Sequence, residues 1–266
     1  MTVQDVYDIL DAFAPFSTQE SYDKAGLLTG DPQAAVHRIL LTLDITIPVV
    51  REAAEKHCDL ILAHHPVIWE PLKAVMPNHP AWHLVRHDIA AICSHTCLDL
   101  AEGGLNDYAG ELLAAQIAMQ HEYEPLAVLS GGRTLGRTAV LSEPTDADTL
   151  ADRLRAAFRC RSLRYYAGAR AAEIRKIAWC TGSGGDLIPE AIAAGADALI
   201  TGDCKHSVWA EAQNRSFTLF DCGHFETEVP VVQLFQRILR NAGAEAELIV
   251  SETGTQPFFI AAESES

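Results

Sequence analysis

The chain contains the sequence Ile39-Leu-Leu-Thr-Leu-Asp44, a segment with helical character, and then Asp59-Leu-Ile-Leu-Ala-His64-His65. The same succession returns as Ile177-Ala-Trp-Cys-Thr-Gly182, a helical segment and Asp197-Ala-Leu-Ile-Thr-Gly202-Asp203. Strands separated by helical segments imply right-handed crossovers and a largely parallel sheet. The repeat therefore predicts an α/β fold of two similar lobes from an internal duplication, with mostly parallel or mixed sheets and flanking helices.

The duplication places one lobe in residues 1–125 and the other in residues 126–266, in one compact unit. With 266 residues and 48% hydrophobic content, the chain can bury a large core. Apolar periodicity predicts several elements. The predicted strands are 39–43, 60–63, 90–93 and 137–141, and the predicted helices include 3–13, 48–57, 82–85, 106–119 and a helix from Pro144 through Phe158. The polar tail, residues 261–266, is expected to be disordered.

Composition excludes several classes of function. A formal net charge of -16 argues against a nucleic-acid surface, which needs clustered Lys and Arg. No apolar run is long enough to span a membrane, and the acidic, amphipathic N-terminus does not resemble a signal peptide. The seven cysteines include no CxxC pair, which is typical of buried thiols in a reducing cytosol. We therefore expect a cytoplasmic protein that acts on a small molecule.

A histidine doublet, His64-His65, ends the apolar strand of the first copy, and Pro66 then directs the chain out of the sheet. One ring could instead face the core while the other faces solvent. Because side chains alternate along a strand, adjacent rings reach one metal ion only if the strand breaks there. They can readily serve two neighbouring ions.

Each copy also ends in a histidine followed four residues later by a carboxylate, as His95 with Asp99 and as His224 with Glu228. Residues four apart share a helix face, so His224 and Glu228 can converge on one cation. The alternative is a helix start whose glutamate complements the dipole. Gly103-Gly104 suggests a loop and not a helix after His95 and Asp99. In that copy Asp99, a hard oxygen donor at a strand end, is the better metal ligand, and His95 could orient a ligand instead.

The doublet, Asp99, His224 and Glu228 together form a set of three imidazoles and two carboxylates. Five protein ligands are too many for an open mononuclear zinc site but suit two divalent ions about 3.5 to 4 Å apart, with Glu228 as the bridge. Imidazole and carboxylate ligands fit Zn, Fe, Mn, Co or Ni, and of these we expect Zn, Fe or Mn. Thiolate ligation by Cys97 or Cys222 is a further alternative. The predicted metal ligands are His64, His65, Asp99, His224 and Glu228.

Two further segments could meet an anionic substrate. The backbone N–H groups of Thr181-Gly-Ser-Gly-Gly-Asp186 could cradle a phosphate, or the segment could be an ordinary tight turn between strand and helix. Lys205 and His206 could bind phosphates or donate a proton. Alternatively, Lys205 is a solvated charge and His206 begins a helix.

Several motifs resemble, in order, the signatures of the toroidal dinuclear-metal family of GTP cyclohydrolase I type 2 homologs, also called NGG-interacting-factor-three-like. The resemblance runs nearly end to end. Asp203 and Cys204 depart from the glutamate-led version usual in the family, and Tyr22 stands where a tryptophan is usual. The matching segments are Tyr22 to Gly30, His64-His-Pro-Val-Ile, Ser94-His-Thr-Cys-Leu-Asp99, Gly103-Gly-Leu-Asn-Asp107, Gly132-Arg-Thr-Leu-Gly136, Cys180-Thr-Gly-Ser-Gly-Gly185, Thr201-Gly-Asp-Cys-Lys-His206 and Gly223-His-Phe-Glu-Thr-Glu228.

The resemblance implies a two-lobed subunit, a homohexamer built as a trimer of dimers, and two metal ions at the five positions named above. One branch of the family opens the guanine imidazole ring of GTP and releases formate. We therefore expect a metal-dependent hydrolase acting on a nucleotide, with His95 or His206 as the proton shuttle. The alternatives are hydrolysis of a phosphoester or amide, and a non-catalytic metal-binding ring that serves as scaffold, metal carrier or regulator.

Overall fold

The repeated strands form the centres of two sheets in the computed structural model, which describes residues 1–254 and 256–258. One compact unit comprises residues 1–104 and 229–254, and the other comprises 105–228 and 256–258. This division differs from the predicted one at residue 125, because the chain returns to the first unit after residue 228 and adds a strand to its sheet. The polar tail at 261–266 lies outside the described residues.

The first unit contains a five-stranded sheet in the order β1-β4-β3-β2-β11, in which only β1 is antiparallel to its neighbour. Its strands are β1 (Gly26–Thr29), β2 (Arg38–Thr42), β3 (Leu60–Ala63), β4 (Ala90–Cys93) and β11 (Glu247–Val250). Its helices are α1 (Val3–Phe13), α2 (Ile47–Glu55), α3 (Pro80–Arg86), α4 (Thr96–Leu100) and α10 (Val231–Asn241). Every residue of β3 and β4 is buried, as expected for parallel strands covered on both faces.

The second unit contains a six-stranded mixed sheet in the order β5-β6-β8-β9-β10-β7. Its strands are β5 (Glu124–Val128), β6 (Thr134–Thr145), β7 (Arg164–Tyr166), β8 (Ile174–Trp179), β9 (Ala198–Thr201) and β10 (Thr218–Asp221). Its helices are α5 (Leu105–Ala114), α6 (Ala147–Phe158), α7 (Ile188–Ala193), α8 (His206–Asn214) and α9 (His224–Glu228). The helix predicted over 106–119 thus ends five residues early, because Met119 pairs with Leu141 of β6 in an isolated bridge.

The two copies of the repeat share a detailed hydrogen-bond pattern. In the first copy, Oδ2 of Asp59 accepts hydrogen bonds from the backbone N–H groups of His37 and Arg38. In the second copy, Oδ2 of Asp197 accepts the same pair of bonds from Arg175 and Lys176. In both copies three successive strands are parallel neighbours, β2-β3-β4 and β8-β9-β10, and the aspartate directly precedes the second of them. The predicted mixed α/β architecture with two sheets and flanking helices is confirmed.

The two histidine-to-carboxylate pairs are not at equivalent positions in this repeat. The sheet register pairs Ala63 with Cys93 in one copy and Thr201 with Asp221 in the other. Counted from these strand ends, His95 is the second residue beyond Cys93 and directly precedes α4, whereas His224 is the third residue beyond Asp221 and begins α9. The equal spacing in the sequence therefore hides an offset of one residue.

None of the helices in the described ranges combines the length and the apolar character that crossing a bilayer requires.

Candidate metal centre

Three histidines of the first unit converge beyond the ends of β3 and β4. Each of His64, His65 and His95 offers a ring nitrogen, and these nitrogens lie within 4.8 Å of one another. The ring centroids are 5.1 to 5.5 Å apart. Three imidazole nitrogens at this spacing can share one divalent cation.

The adjacent rings of the doublet reach one point because the strand ends before them. The backbone N–H groups of His64 and His65 both donate to the carbonyl oxygen of Leu43, at 3.2 and 3.0 Å. Two successive amides bonded to one acceptor cannot continue a parallel ladder, in which bonds are evenly spaced along the strand. The break that the sequence required for a shared ion is therefore present.

Each of the three rings is oriented through its Nδ1 atom. Nδ1 of His64 lies 2.8 Å from the carbonyl oxygen of Ser94, Nδ1 of His65 lies 2.7 Å from Asp44 Oδ1, and Nδ1 of His95 lies 2.9 Å from Asp23 Oδ1. Carbonyl and carboxylate oxygens only accept, so Nδ1 carries the proton in each neutral ring and Nε2 keeps its lone pair. This is the usual arrangement of histidines that bind metal ions.

Asp99 lies on α4, close to the first of these rings. Its Oδ1 atom is 3.6 Å from Nε2 of His64, which is completely buried. The chain forms a short helix from Thr96, so Asp99 projects from its first turn rather than from a loop. Asp99 therefore supplies a carboxylate oxygen beside the imidazole cluster.

Asp23 and Asp44 were not predicted from the sequence. Burial by itself would raise the pKa of the Asp23 carboxyl, but hydrogen bonds from His95 and Thr96 lower that pKa to about 2. Thr96 donates both its backbone N–H, at 2.9 Å, and its hydroxyl, at 2.5 Å. The signals that could have found these residues are the position of Asp44 just after β2 and that of Asp23 in the segment from Tyr22 to Gly30.

The second unit holds the other predicted pair, on α9. Nε2 of His224 and Oε2 of Glu228 are 2.8 Å apart, so the spacing of four residues does bring both side chains to one face. The carboxylate of Asp203 accepts a hydrogen bond from Nδ1 of His224 at 3.0 Å. Asp203 therefore orients the ring of His224 as Asp23 orients that of His95. Glu228 is 4% exposed. Asp203, which departs from the residue usual in the family, therefore holds the ring of His224 in position.

Glycine stands at the position corresponding to the doublet for a steric reason. A Cβ atom on Gly202 would lie 2.6 Å from the carbonyl carbon of Gly223 and 2.6 Å from the backbone nitrogen of His224. The second copy therefore has no room for a side chain where the first copy has His64.

The glycine-rich turn after β8 uses its amides within the protein. The N–H of Thr181 donates to Asn106 Oδ1 at 3.0 Å, that of Gly182 to Thr227 Oγ1 at 3.1 Å, and that of Gly184 to Thr201 Oγ1 at 2.8 Å. These donors are not directed at a ligand, which favours an ordinary turn over a phosphate cradle.

His206 stands apart from these groups. It is the exposed first residue of α8, and within the described part of the chain its side chain makes no hydrogen bond, ion pair or ring contact. This is the alternative in which His206 simply begins a helix, and the proton-transfer role predicted for it has no structural support among the described residues.

The cysteines beside the cluster are ordinary buried thiols. Burial raises the pKa of Cys97 to about 11, and burial also raises the pKa of Cys222. Among the described residues, neither thiol belongs to a group of side chains whose ligand atoms lie close enough together to share an ion. Imidazole nitrogen and carboxylate oxygen are therefore the donors on offer, and such groups could hold a metal ion.

Comparison with known proteins identifies the family. The model of Duf34/NIF3 (NGG1p interacting factor 3) matches residues 1–257. The chain is 32% identical to the GTP cyclohydrolase 1 type 2 homolog of Clostridium acetobutylicum, over 97% of this chain and 98% of that one. Among solved structures, Staphylococcus aureus protein SA1388 superposes with a TM-score of 0.85 at 22% identity, over 98% of this chain and 99% of that one.

A Bacillus cereus protein related to NIF3 also has a TM-score of 0.85, at 20% identity and with 98% of this chain and 99% of that chain covered. These two structures share the fold. The match of the family model over nearly the whole length, together with relatives above 30% identity, agrees with the resemblance seen in the motifs, and the chain belongs to the Duf34/NIF3 family.

Proposed function

We propose that this protein is a dinuclear divalent-metal hydrolase of the GTP cyclohydrolase 1 type 2 kind, which opens a purine ring or otherwise hydrolyses a nucleotide. The observation that carries the proposal is the cluster of His64, His65 and His95, in which every Nδ1 is anchored by an acceptor and the ring nitrogens on offer lie within 4.8 Å of one another. Relatives named GTP cyclohydrolase 1 type 2 homolog support the choice of reaction.

We propose that His64, His65, Asp99, His224 and Glu228 would hold the divalent ions, as the family resemblance implies. Bound divalent ions would supply Lewis acidity, which activates water near neutral pH and stabilises negative charge on the substrate. Asp44 and Asp203 hold two of the ligating rings in position through their Nδ1 atoms.

His95 has the geometry of either a ligand or a proton carrier. Its Nδ1 atom is held by the carboxylate of Asp23, 2.9 Å away, which leaves Nε2 as the ring nitrogen with a lone pair. A ring held in this way can accept a proton at Nε2 and return it to the substrate. His95 is therefore our first choice for proton transfer and His206 the second.

Formate release tests the proposed reaction directly. Protein reconstituted with Zn, Fe or Mn is incubated with GTP, and formate is measured. We expect release by the wild type, a loss of at least about a hundred-fold in the Glu228→Gln variant, and no change in Glu190→Gln, which alters an exposed glutamate of α7 in the same unit.

Two other functions have defined outcomes in the same assay. Hydrolysis of a phosphoester or amide panel without formate release would favour a metal-dependent phosphoesterase or amidohydrolase. Inactivity on every substrate, with two ions bound per chain, would favour a non-catalytic metal-binding scaffold or regulator. Fewer than one ion per chain after reconstitution would refute the dinuclear centre.

We also propose that the chain assembles with itself as a homohexamer, a trimer of dimers, as the family resemblance implies. Light scattering tests this: the expected mass is six times the 28.9 kDa of the subunit. A monomer or dimer at micromolar concentration would contradict it.

A further inference from the structure

The loop between β3 and α3 places an exposed indole beside the histidine cluster. Trp69 follows the doublet by four residues, and its ring meets that of His95 edge to face, with centroids 5.2 Å apart and an interplanar angle of 90°. Nevertheless, 44% of the residue remains exposed. Indole rings are among the side chains that gain most from burial, so this exposed surface stands out next to a polar cluster.

The indole also has an unused polar group. Within the described part of the chain, the Nε1–H group of Trp69 donates to no acceptor. The same loop exposes Leu72, Val75 and Met76, at 37%, 49% and 55%. Trp69 therefore offers both a flat apolar surface and a hydrogen-bond donor at the edge of the imidazole cluster.

A second loop at His95 has similar character. Asp23, which accepts the hydrogen bond of His95, is flanked by Tyr22, which is 64% exposed, and by Lys24, which is also exposed. The loop of Trp69 likewise contains an exposed lysine, Lys73. Both loops that contact His95 thus combine an exposed aromatic ring with a cation, in a chain whose net charge is -16.

We propose that Trp69 is the residue that binds the base of the substrate, by stacking a planar heteroaromatic ring and donating its indole N–H to a polar substituent. The inference rests on the proposed function and makes it more specific. An aromatic ring can stack on any nucleobase because every base has a π-face. An aliphatic amide or a phosphoester without a ring would gain nothing from an exposed indole. The substrate class is therefore a nucleobase derivative.

Binding of 7-deaza-GTP by calorimetry tests this assignment on the metal-reconstituted protein. This analogue keeps the flat base and the triphosphate but lacks the N7 atom needed for ring opening, so turnover does not disturb the measurement. Inorganic triphosphate serves as the probe without a base. We expect Trp69→Ala to raise the Kd for 7-deaza-GTP about ten- to one-hundred-fold and to leave that for triphosphate unchanged.

Two further variants test whether the aromatic ring of Trp69 is responsible for base binding. Trp69→Phe keeps a stacking surface and should stay within about three-fold of the wild type. Trp82→Phe changes a tryptophan that contacts Arg86 on α3 in the same unit, and it should bind as the wild type does. A Kd for Trp69→Ala within about two-fold of the wild type, equal weakening of triphosphate binding, or no binding of 7-deaza-GTP by the wild type would each overturn the assignment.

Metal content separates this inference from the proposed function. Trp69→Ala should bind as many ions per chain as the wild type. If the wild type binds fewer than one ion per chain after reconstitution and still binds 7-deaza-GTP, the stacking role is supported and the hydrolase is refuted. Two bound ions without base binding would do the opposite. If Trp69→Ala changes the oligomeric mass and leaves the Kd unchanged, the indole is an interface residue and the assignment is wrong.

Discussion

The backbone of Gly182 lies directly against the carboxylate of Glu228. A Cβ atom on Gly182 would come within 2.0 Å of Oε1 of Glu228 and 3.5 Å of Nε2 of His224. The turn is held there because the N–H of Gly182 donates to Thr227, one residue before Glu228. The absence of a side chain at Gly182 is therefore what leaves room for the carboxylate.

Alanine at Gly182 should displace Glu228 and weaken metal binding. Gly182 has a φ of +65°, where alanine is strained by about 1 kcal/mol, and the new methyl group adds a clash with Oε1. Gly195→Ala is the matched control, because its φ is +72° but nothing lies within 4 Å of the added Cβ. We expect Gly182→Ala to lose more stability than Gly195→Ala in thermal unfolding, because of the added clash, and only Gly182→Ala to lose bound metal. Equal metal content in the two would contradict the steric role.

Asparagine at Asp23 should lower turnover without unfolding the protein. The change removes the negative charge that accepts from His95 and Thr96, and a misplaced proton-transfer group typically costs about a hundred-fold or more in rate. Formate release at matched metal content measures this. Asp31→Asn alters an exposed aspartate whose carboxylate accepts from the backbone of Gln33, and it should leave turnover unchanged.

Glutamine at His95 distinguishes a ligand from a proton carrier. Because His95 is proposed to transfer protons and not to bind an ion, we expect His95→Gln to lose turnover by about a hundred-fold or more and to keep its metal content. His37→Gln, which changes a histidine whose side chain is 80% exposed, is the control. A loss of bound metal in His95→Gln would show instead that His95 binds the ion, since its ring nitrogen lies within 4.8 Å of those of His64 and His65.

Glu52 should contribute stability that depends on pH. Its side chain is 6% exposed and accepts from Lys56 and from the segment 251–253 after β11. Burial would raise its pKa, but hydrogen bonds from the Glu252 backbone, Lys56, Ser251 and Thr253 lower it from 4.5 to about 2. The folded state thus favours the ionised carboxyl, and a shift of this size corresponds to about 3 kcal/mol.

This stabilisation is fully present above the unfolded pKa of 4.5 and is lost as the pH falls towards 2. We expect Glu52→Gln to lower the free energy of unfolding in urea by about 2 to 3 kcal/mol at pH 7 and by much less at pH 3. Glu55→Gln, on an exposed position of α2, should match the wild type at both pH values. A difference for Glu52→Gln that does not shrink in acid would refute the explanation.

Local patterns predicted much of the architecture. The apolar runs 60–63 and 90–93 are β3 and β4 residue for residue, because a strand buried on both faces is continuously apolar. Helix α9 carries His224 and Glu228 on one face because a spacing of four residues is a property of the helix itself. The doublet after β3 was also visible in the sequence, since Pro66 marks the end of the strand.

Other features depended on contacts that no local pattern encodes. The helix predicted to Met119 stops at Ala114, since Met119 pairs with Leu141. Strand β11 pairs with β2 from the far end of the chain, so the division predicted at residue 125 does not follow the contacts. Asp23 reaches His95 from 72 positions away, and Asp44 reaches His65 from 21.

The sequence by itself determined the family, the repeated strand and helix units, and a set of imidazole and carboxylate side chains placed where strands end, because hydrophobic periodicity and strand ends are local properties of the chain. Only the tertiary structure decided how those side chains are used. Sheet register set His95 one residue out of step with His224, and a broken strand turned both doublet rings together. Distant aspartates then fixed the rings through Nδ1, since hydrogen bonds depend on distance in space and not on separation in sequence.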